Sequence, residues 1–138
     1  MKIVAILLMS IFLAANGCED LKDTTIHYNA HSRGMYLDIE VKDGAVSIVN
    51  QRKGAPKTTK LSQDDQKELG ALVKAIELES IPDMKSPTEA RFYDGAAIAS
   101  LTVTQGDEAY ESQAFDHGQP PAKLKALVDK LLTFVPAE

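Results

Sequence analysis

Between Tyr36 and Lys42 apolar and polar residues alternate strictly. Leu37, Ile39 and Val41 fall on one side, and Tyr36, Asp38, Glu40 and Lys42 on the other. A period of two is the mark of a half-buried strand. Asp43-Gly44 follows, a dipeptide suited to the positive φ angles of a type I′ hairpin turn, and Ala45 to Asn50 returns as a second strand. Gln51 to Thr59, with Arg52, Lys53, Lys57, Gly54 and Pro56, reads as an exposed basic loop. The period then changes. Ser62 is placed to cap a helix whose first turn carries Asp64 and Asp65, acids that suit the positive end of the helix dipole. Leu69, Leu72, Val73 and Ile76 recur at helical spacing, and Pro82 ends the run.

The second half repeats the order without repeating the residues. Asp83 to Ala90 is a loop, Ala97 to Val103 a strand, Gln105-Gly106 a turn, and Ala109 to Phe115 a strand. Pro120-Pro121 opens another helix, at the position where proline costs least, and its stripe is Leu124, Leu127, Val128 and Leu131. The pattern predicts an α+β domain: a four-stranded antiparallel sheet, order ββαββα, with both helices on one face. Its apolar partner surface would be Leu37, Ile39 and Val41.

The start of the chain obeys a different logic. Met1-Lys2 is a positive start, Ile3 to Ala15 an apolar run broken only by Ser10, and Asn16-Gly17-Cys18 closes it. Charge, apolar core and small-residue cut site make an export signal. The run is shorter than the roughly 20 residues a membrane-crossing helix needs. Ala15-Asn16-Gly17 would also serve as a plain secretory cleavage site. Against a plain secretory signal, Cys18 is the only cysteine, so no internal disulfide can occupy its thiol, whereas a lipid thioether would. The expected organisation is a signal peptide over residues 1–17, a lipidated Cys18 with a tether over 18–31, and one α+β domain over 32–135. Two or three acyl chains would hold it firmly to a bilayer. Glu19, rather than an aspartate, follows the cysteine and favours the outer membrane.

Charge narrows the partners. The chain carries a formal net charge of −5, and losing Lys2 with the leader makes the mature protein more acidic still. No basic stripe with interleaved aromatics is present, so nucleic acid is not an expected partner. Tryptophan is absent and Phe and Tyr number four each, which implies an aliphatic core.

Three segments depart from simple core patterning: Ser32-Arg33-Gly34, Arg91-Phe92-Tyr93-Asp94-Gly95-Ala96-Ala97, and Phe115-Asp116-His117-Gly118-Gln119-Pro120-Pro121. Together they resemble a family of small, functionally uncharacterised bacterial lipoproteins, which share an arginine-glycine step, a YDGA-like segment and an FDHG-x-PP segment. The resemblance spans Ile26 to Leu132. It implies an envelope address and this architecture, and no activity.

Each segment lies at the end of a predicted strand, so hairpin geometry would gather them at one rim. Arg33 and Arg91 would offer planar donor forks to a carboxylate or phosphate, with Asp94, Asp116 and His117 completing a binding site. The competing reading is structural: Arg91 pairs with Asp94 across a turn, and Asp116 caps the turn at His117-Gly118. His27 and His31 would stand about 13 Å apart along a strand at ~3.3 Å per residue. No zinc motif supports them, so no metal or other cofactor is implied. Ser112, Asp116 and His117 lack a nucleophile elbow, and adjacent Asp and His point different ways. The reading that follows is a lipid-anchored, non-catalytic binding module of the envelope, meeting an envelope protein or a small anionic ligand. A small enzyme using Asp94, Asp116 and His117, or a structural spacer, are the alternatives.

Overall fold

The computed structural model describes residues 21–136. Cys18 and the export signal lie outside the described residues. The fold is α+β, built on one antiparallel sheet. In chain order, β1 (Thr24–His31), β2 (Tyr36–Lys42), β3 (Ala45–Val49) and β4 (Lys57–Lys60) precede helix α1 (Gln63–Lys74). Two 3-10 turns (Leu78–Asp83 and Ala90–Tyr93) lead to β5 (Ile98–Gln105), β6 (Glu108–Glu111) and the two-residue β7 (Phe115–Asp116). A third 3-10 turn (Ala122–Leu124) runs into helix α2 (Lys125–Leu132).

The expected four strands are six in a row, β4-β3-β2-β1-β5-β6, with β7 also on β5. This corrects the four-stranded ββαββα expectation in three places. Thr24–His31, expected to belong to the tether, is the strand at the middle of the sheet, paired to β2 on one side and β5 on the other. Lys57–Lys60, inside and just beyond the expected loop, pairs with β3 as an exposed edge strand. The expected strand over Ala109 to Phe115 is broken in two. At the break the Ser112 hydroxyl accepts a hydrogen bond from Leu101 N at 3.0 Å, where a strand carbonyl would otherwise serve.

One face of the sheet is apolar. Ile26, Tyr28 and Ala30 of β1, Leu37, Ile39 and Val41 of β2, Val46 and Ile48 of β3, and Ala99, Leu101 and Val103 of β5 are all buried there. Leu69, Val73 and Ile76, with Leu124, Leu127, Val128 and Leu131, join them in a single core, so both helices cover this face as expected. Leu72 is only partly buried at its margin. Lys130 of α2 bridges to Asp65 (2.8 Å) and Glu68 (2.6 Å) of α1 and ties the helices to each other. The opposite face presents the polar row of each strand, His27, Asn29, Asp38, Glu40, Ser100 and Thr102 among them.

Local signals act where the sequence places them. Asp43 and Gly44 both take positive φ (51° and 76°), as a type I′ turn requires. Ser62 caps α1 by accepting from Asp65 N. The helix stops at Lys74, well before Pro82, which sits inside the first 3-10 turn. Among the described residues no helix is long and apolar enough to cross a membrane.

Candidate functional site

The central position of β1 decides where the unusual segments meet. It is antiparallel to both β2 and β5, so those two strands run in the same sense. Their starts therefore share a rim with the end of β1: His31 is paired to Tyr36 and to Ile98, and Ile98 in turn to Asp116. Arg33 lies just past His31, and Arg91 and Asp94 just before β5. The topology brings all three segments to one end of the sheet.

Asp116 is the anchor of this end. Its side chain is 1% exposed and takes hydrogen bonds from Thr88 Oγ1 (2.5 Å), Ala90 N (2.7 Å), Arg91 N (3.0 Å) and Arg91 Nη1 (3.1 Å). Burial disfavours the charge, but these donors outweigh it and hold the carboxyl at about 2. Arg91 spends the same nitrogen on Thr88 O (2.9 Å) and Ser86 Oγ (3.2 Å), and its guanidinium lies 4.3 Å from the Phe92 ring centroid. Two details of the structural reading are thereby corrected. Arg91 reaches Asp116 instead of Asp94, and the Asp116 carboxylate fixes the segment 88–91 instead of its own turn, where its backbone carbonyl receives Gln119 N.

The fixed segment presents two aromatics to solvent. Phe92 and Tyr93 are 71% and 74% exposed, and with Ile98 they are the large exposed apolar side chains of the described residues. Asp94 ends the turn in the left-handed region (φ 59°). Gly95 follows because a Cβ there would come within 3.0 Å of the Tyr93 ring and 3.2 Å of Ala90. Arg33, Arg52 and Arg91, the three arginines of the chain, line one shallow depression here with His31 and Asp94. Arg52, which the sequence pattern left in a solvated loop, also donates to Ser32 O.

His117, in the turn that follows Asp116, stands apart from it, as expected for an adjacent Asp and His on a strand or turn. Its Nδ1 lies 2.7 Å from the hydroxyl of Tyr28, a fully buried residue of β1. Burial lowers the His117 pKa and raises that of Tyr28. Both groups are therefore neutral, and because the buried Tyr28 hydroxyl has no other acceptor among the described residues, the phenol donates to Nδ1, which puts the ring proton on Nε2. Tyr28 was legible only through a strand that the sequence pattern did not reveal. Arg33 and His117 share a cleft of about 670 Å³ between the β1–β2 turn and the end of α2. Asp94, Arg91 and Asp116 are not on its walls.

The other constellations resolve into structure. Ser112 Oγ accepts from Leu101 N and donates to Gln113 O, so it forms no triad with Asp116 and His117. His27 Nε2 lies 2.7 Å from Asp38 Oδ2, and His31 Nδ1 is 3.3 Å from Asn29 Oδ1. Among the described residues no group of three or more His, Cys, Asp or Glu is arranged to hold a metal ion. Comparison of the chain with protein-family models, with curated proteins and with solved structures finds no match.

Proposed function

We propose that the protein is a lipid-anchored component of the bacterial envelope whose domain is a non-catalytic module that binds an envelope protein through its arginine-rich rim. The anchor rests on the leader pattern and on Cys18. The observation that carries the binding reading is the pairing of a buried latch with exposed aromatics. Asp116 holds the backbone of Ala90 and Arg91 in place, and the same turn projects Phe92 and Tyr93 into solvent. Binding costs least when the contacting groups are already ordered, and exposed aromatics beside arginine are the composition that dominates interface energetics.

The acid-base alternative is weaker on geometry. Both oxygens of Asp116 are occupied by fixed donors, and His117 is aligned with Tyr28 instead of with either aspartate. The deciding experiment is photo-crosslinking in native membranes with a photoreactive side chain at position 93 of the full chain. A discrete protein adduct that disappears with Phe92→Ser supports the module. A stable protein that yields no protein adduct would rule it out.

A further inference from the structure

The cleft beside His117 is distinct from the aromatic turn: none of Arg91, Phe92 or Tyr93 lines it. Its volume of about 670 Å³ falls in the range of small-molecule sites, roughly 300–1,000 Å³. Two classes of lining residue meet there. Arg33, Arg52 and His117 supply hydrogen-bond donors, and no acidic residue is on the walls among the described residues. In a chain with 20 acids against 15 bases, a concavity holding two arginines and, among the described residues, no carboxylate concentrates positive charge. Asp94 is not on these walls, and lines adjoining depressions with Arg33 and Arg52. Arg52 gives one nitrogen to Ser32 O and keeps the rest of its fork.

His117 adds a fixed neutral donor. Because Tyr28 holds Nδ1, the Nε2–H is the group left for the cleft. Of the remaining walls, Met35, Leu37, Leu132 and Val135 are apolar, and Asn50 and Gln51 are neutral and polar. A second cavity of about 290 Å³ shares Asn50 and Pro136 with the first; Val46, Ile48, Leu61 and Phe134 supply its apolar walls, and Lys57, Lys60 and Asp65 its charged ones. Donors on one side of the cleft and the aliphatic side chains of Leu132 and Val135 on the other suit a ligand with two unlike ends.

We propose that this cleft binds a single-chain anionic amphiphile, its carboxylate or phosphate head between Arg33, Arg52 and His117 and its aliphatic chain running past Leu132 and Val135 towards Phe134. The site goes beyond the protein-binding reading of the rim and does not rest on it. Two sources share the head chemistry: free fatty acids and monoacyl phospholipids.

The test is titration calorimetry on the full chain carrying Cys18→Ser, which changes no residue of the cleft and removes any attached lipid. The probes are dodecanoate, dodecyl phosphate, dodecyltrimethylammonium and inorganic phosphate, each below its micelle concentration. The proposal expects saturable binding of at least one anionic dodecyl probe, with the cationic probe and inorganic phosphate weaker by about tenfold or more. Arg33→Ala and Arg52→Ala should each weaken the anionic probe by about tenfold, the worth of one charge-assisted hydrogen bond, with thermal melts unchanged. His117→Phe should weaken it also, and His117→Gln, which keeps a donor, should weaken it less. Binding of dodecanoate alone assigns the fatty acid, and binding of dodecyl phosphate alone assigns the phospholipid. Equal affinity for the cationic probe, equal affinity for bare phosphate, indifference to both arginine substitutions, or no binding would each overturn it.

Discussion

Arg91 Nη1 lies 3.1 Å from Asp116 Oδ1, yet the guanidinium is only one of four donors on that carboxylate. The pair is therefore unequal. Removing Arg91 leaves Asp116 held by Thr88 and two backbone amides. Removing the carboxylate strands all of these donors at once, in a site that is almost fully buried. Breaking a buried pair so that one partner is left uncompensated costs about 3–5 kcal/mol, whereas one hydrogen bond to a charged group is worth about 1.5–3 kcal/mol.

Asp116→Ala is accordingly expected to destabilise the domain by about 3–5 kcal/mol, and Arg91→Ala by less, about 1.5–3 kcal/mol. Urea unfolding measures both. Equal losses would mean that the guanidinium, not the backbone of 90–91, is what the carboxylate anchors. Acid should act on the same latch. The Asp116 carboxyl titrates at about 2 when folded and near 3.9 when unfolded. Its contribution is thus full above about pH 4 and lost as the pH falls towards 2. Asp116→Asn should flatten that part of the stability profile.

His117 gives a second pH dependence, at higher pH. Burial lowers its folded pKa below the ordinary value near 6.5, so protonation favours the unfolded chain. The contribution is complete above about pH 6.5 and declines as the pH falls towards the folded pKa. Ring nitrogen chemical shifts should show a neutral imidazole protonated on Nε2 at pH 7. Tyr28→Phe removes the donor to Nδ1 and should raise the His117 pKa. A ring protonated on Nδ1 in the unaltered protein would contradict the assigned hydrogen bond.

Ser112 separates β6 from β7, and its hydroxyl is the acceptor for Leu101 N in the interior of the sheet. Ser112→Ala leaves that amide unpaired, at about 1–3 kcal/mol. Ser112→Thr keeps the acceptor and should recover part of the loss. In hydrogen exchange, the Leu101 amide should lose more protection than its neighbours in β5.

The two helices were legible because each carries an uninterrupted aliphatic stripe, and their shared face followed from the limited area of one small sheet. The middle strand was not. The inward row of β1 is Thr24, Ile26, Tyr28 and Ala30, with one strong aliphatic, and it follows directly on a polar segment. β4 gives no signal at all, because all four of its side chains are exposed and it is held by backbone pairing and one Ser47–Thr58 hydroxyl contact. The rim could be read from hairpin geometry, and the meeting of Arg91 with Asp116 follows from it. Tyr28 against His117 could not, since that contact depends on β1. Depth within a stripe was also beyond the pattern: Leu69 is fully buried while Leu72 is marginal. Leu69→Ala and Leu127→Ala should therefore cost about 2–5 kcal/mol each, and Leu72→Ala less.

The anchor and the rim make a joint prediction. Strand β1 begins at Thr24, beside the Gly106 turn, where Gly106 N donates to Asp23 O at 2.9 Å. It ends at His31, on the rim that carries Arg33 and the Phe92-Tyr93 turn. Eight residues of strand span about 24 Å at ~3.4 Å per residue, while the six steps from Cys18 to Thr24 reach at most about 20 Å. A lipid on Cys18 would therefore hold the Gly106 end near the bilayer and present the aromatic rim away from it. Mass analysis of the membrane fraction should find acyl groups on a peptide beginning at Cys18, and Cys18→Ser should release the domain with its melting temperature unchanged. A fluorophore at Asp107→Cys should be quenched by labelled lipid more strongly than one at Tyr93→Cys. The reverse order would place the rim on the membrane, and a chain that stays in the membrane fraction after Cys18→Ser would remove the lipid anchor from the proposal.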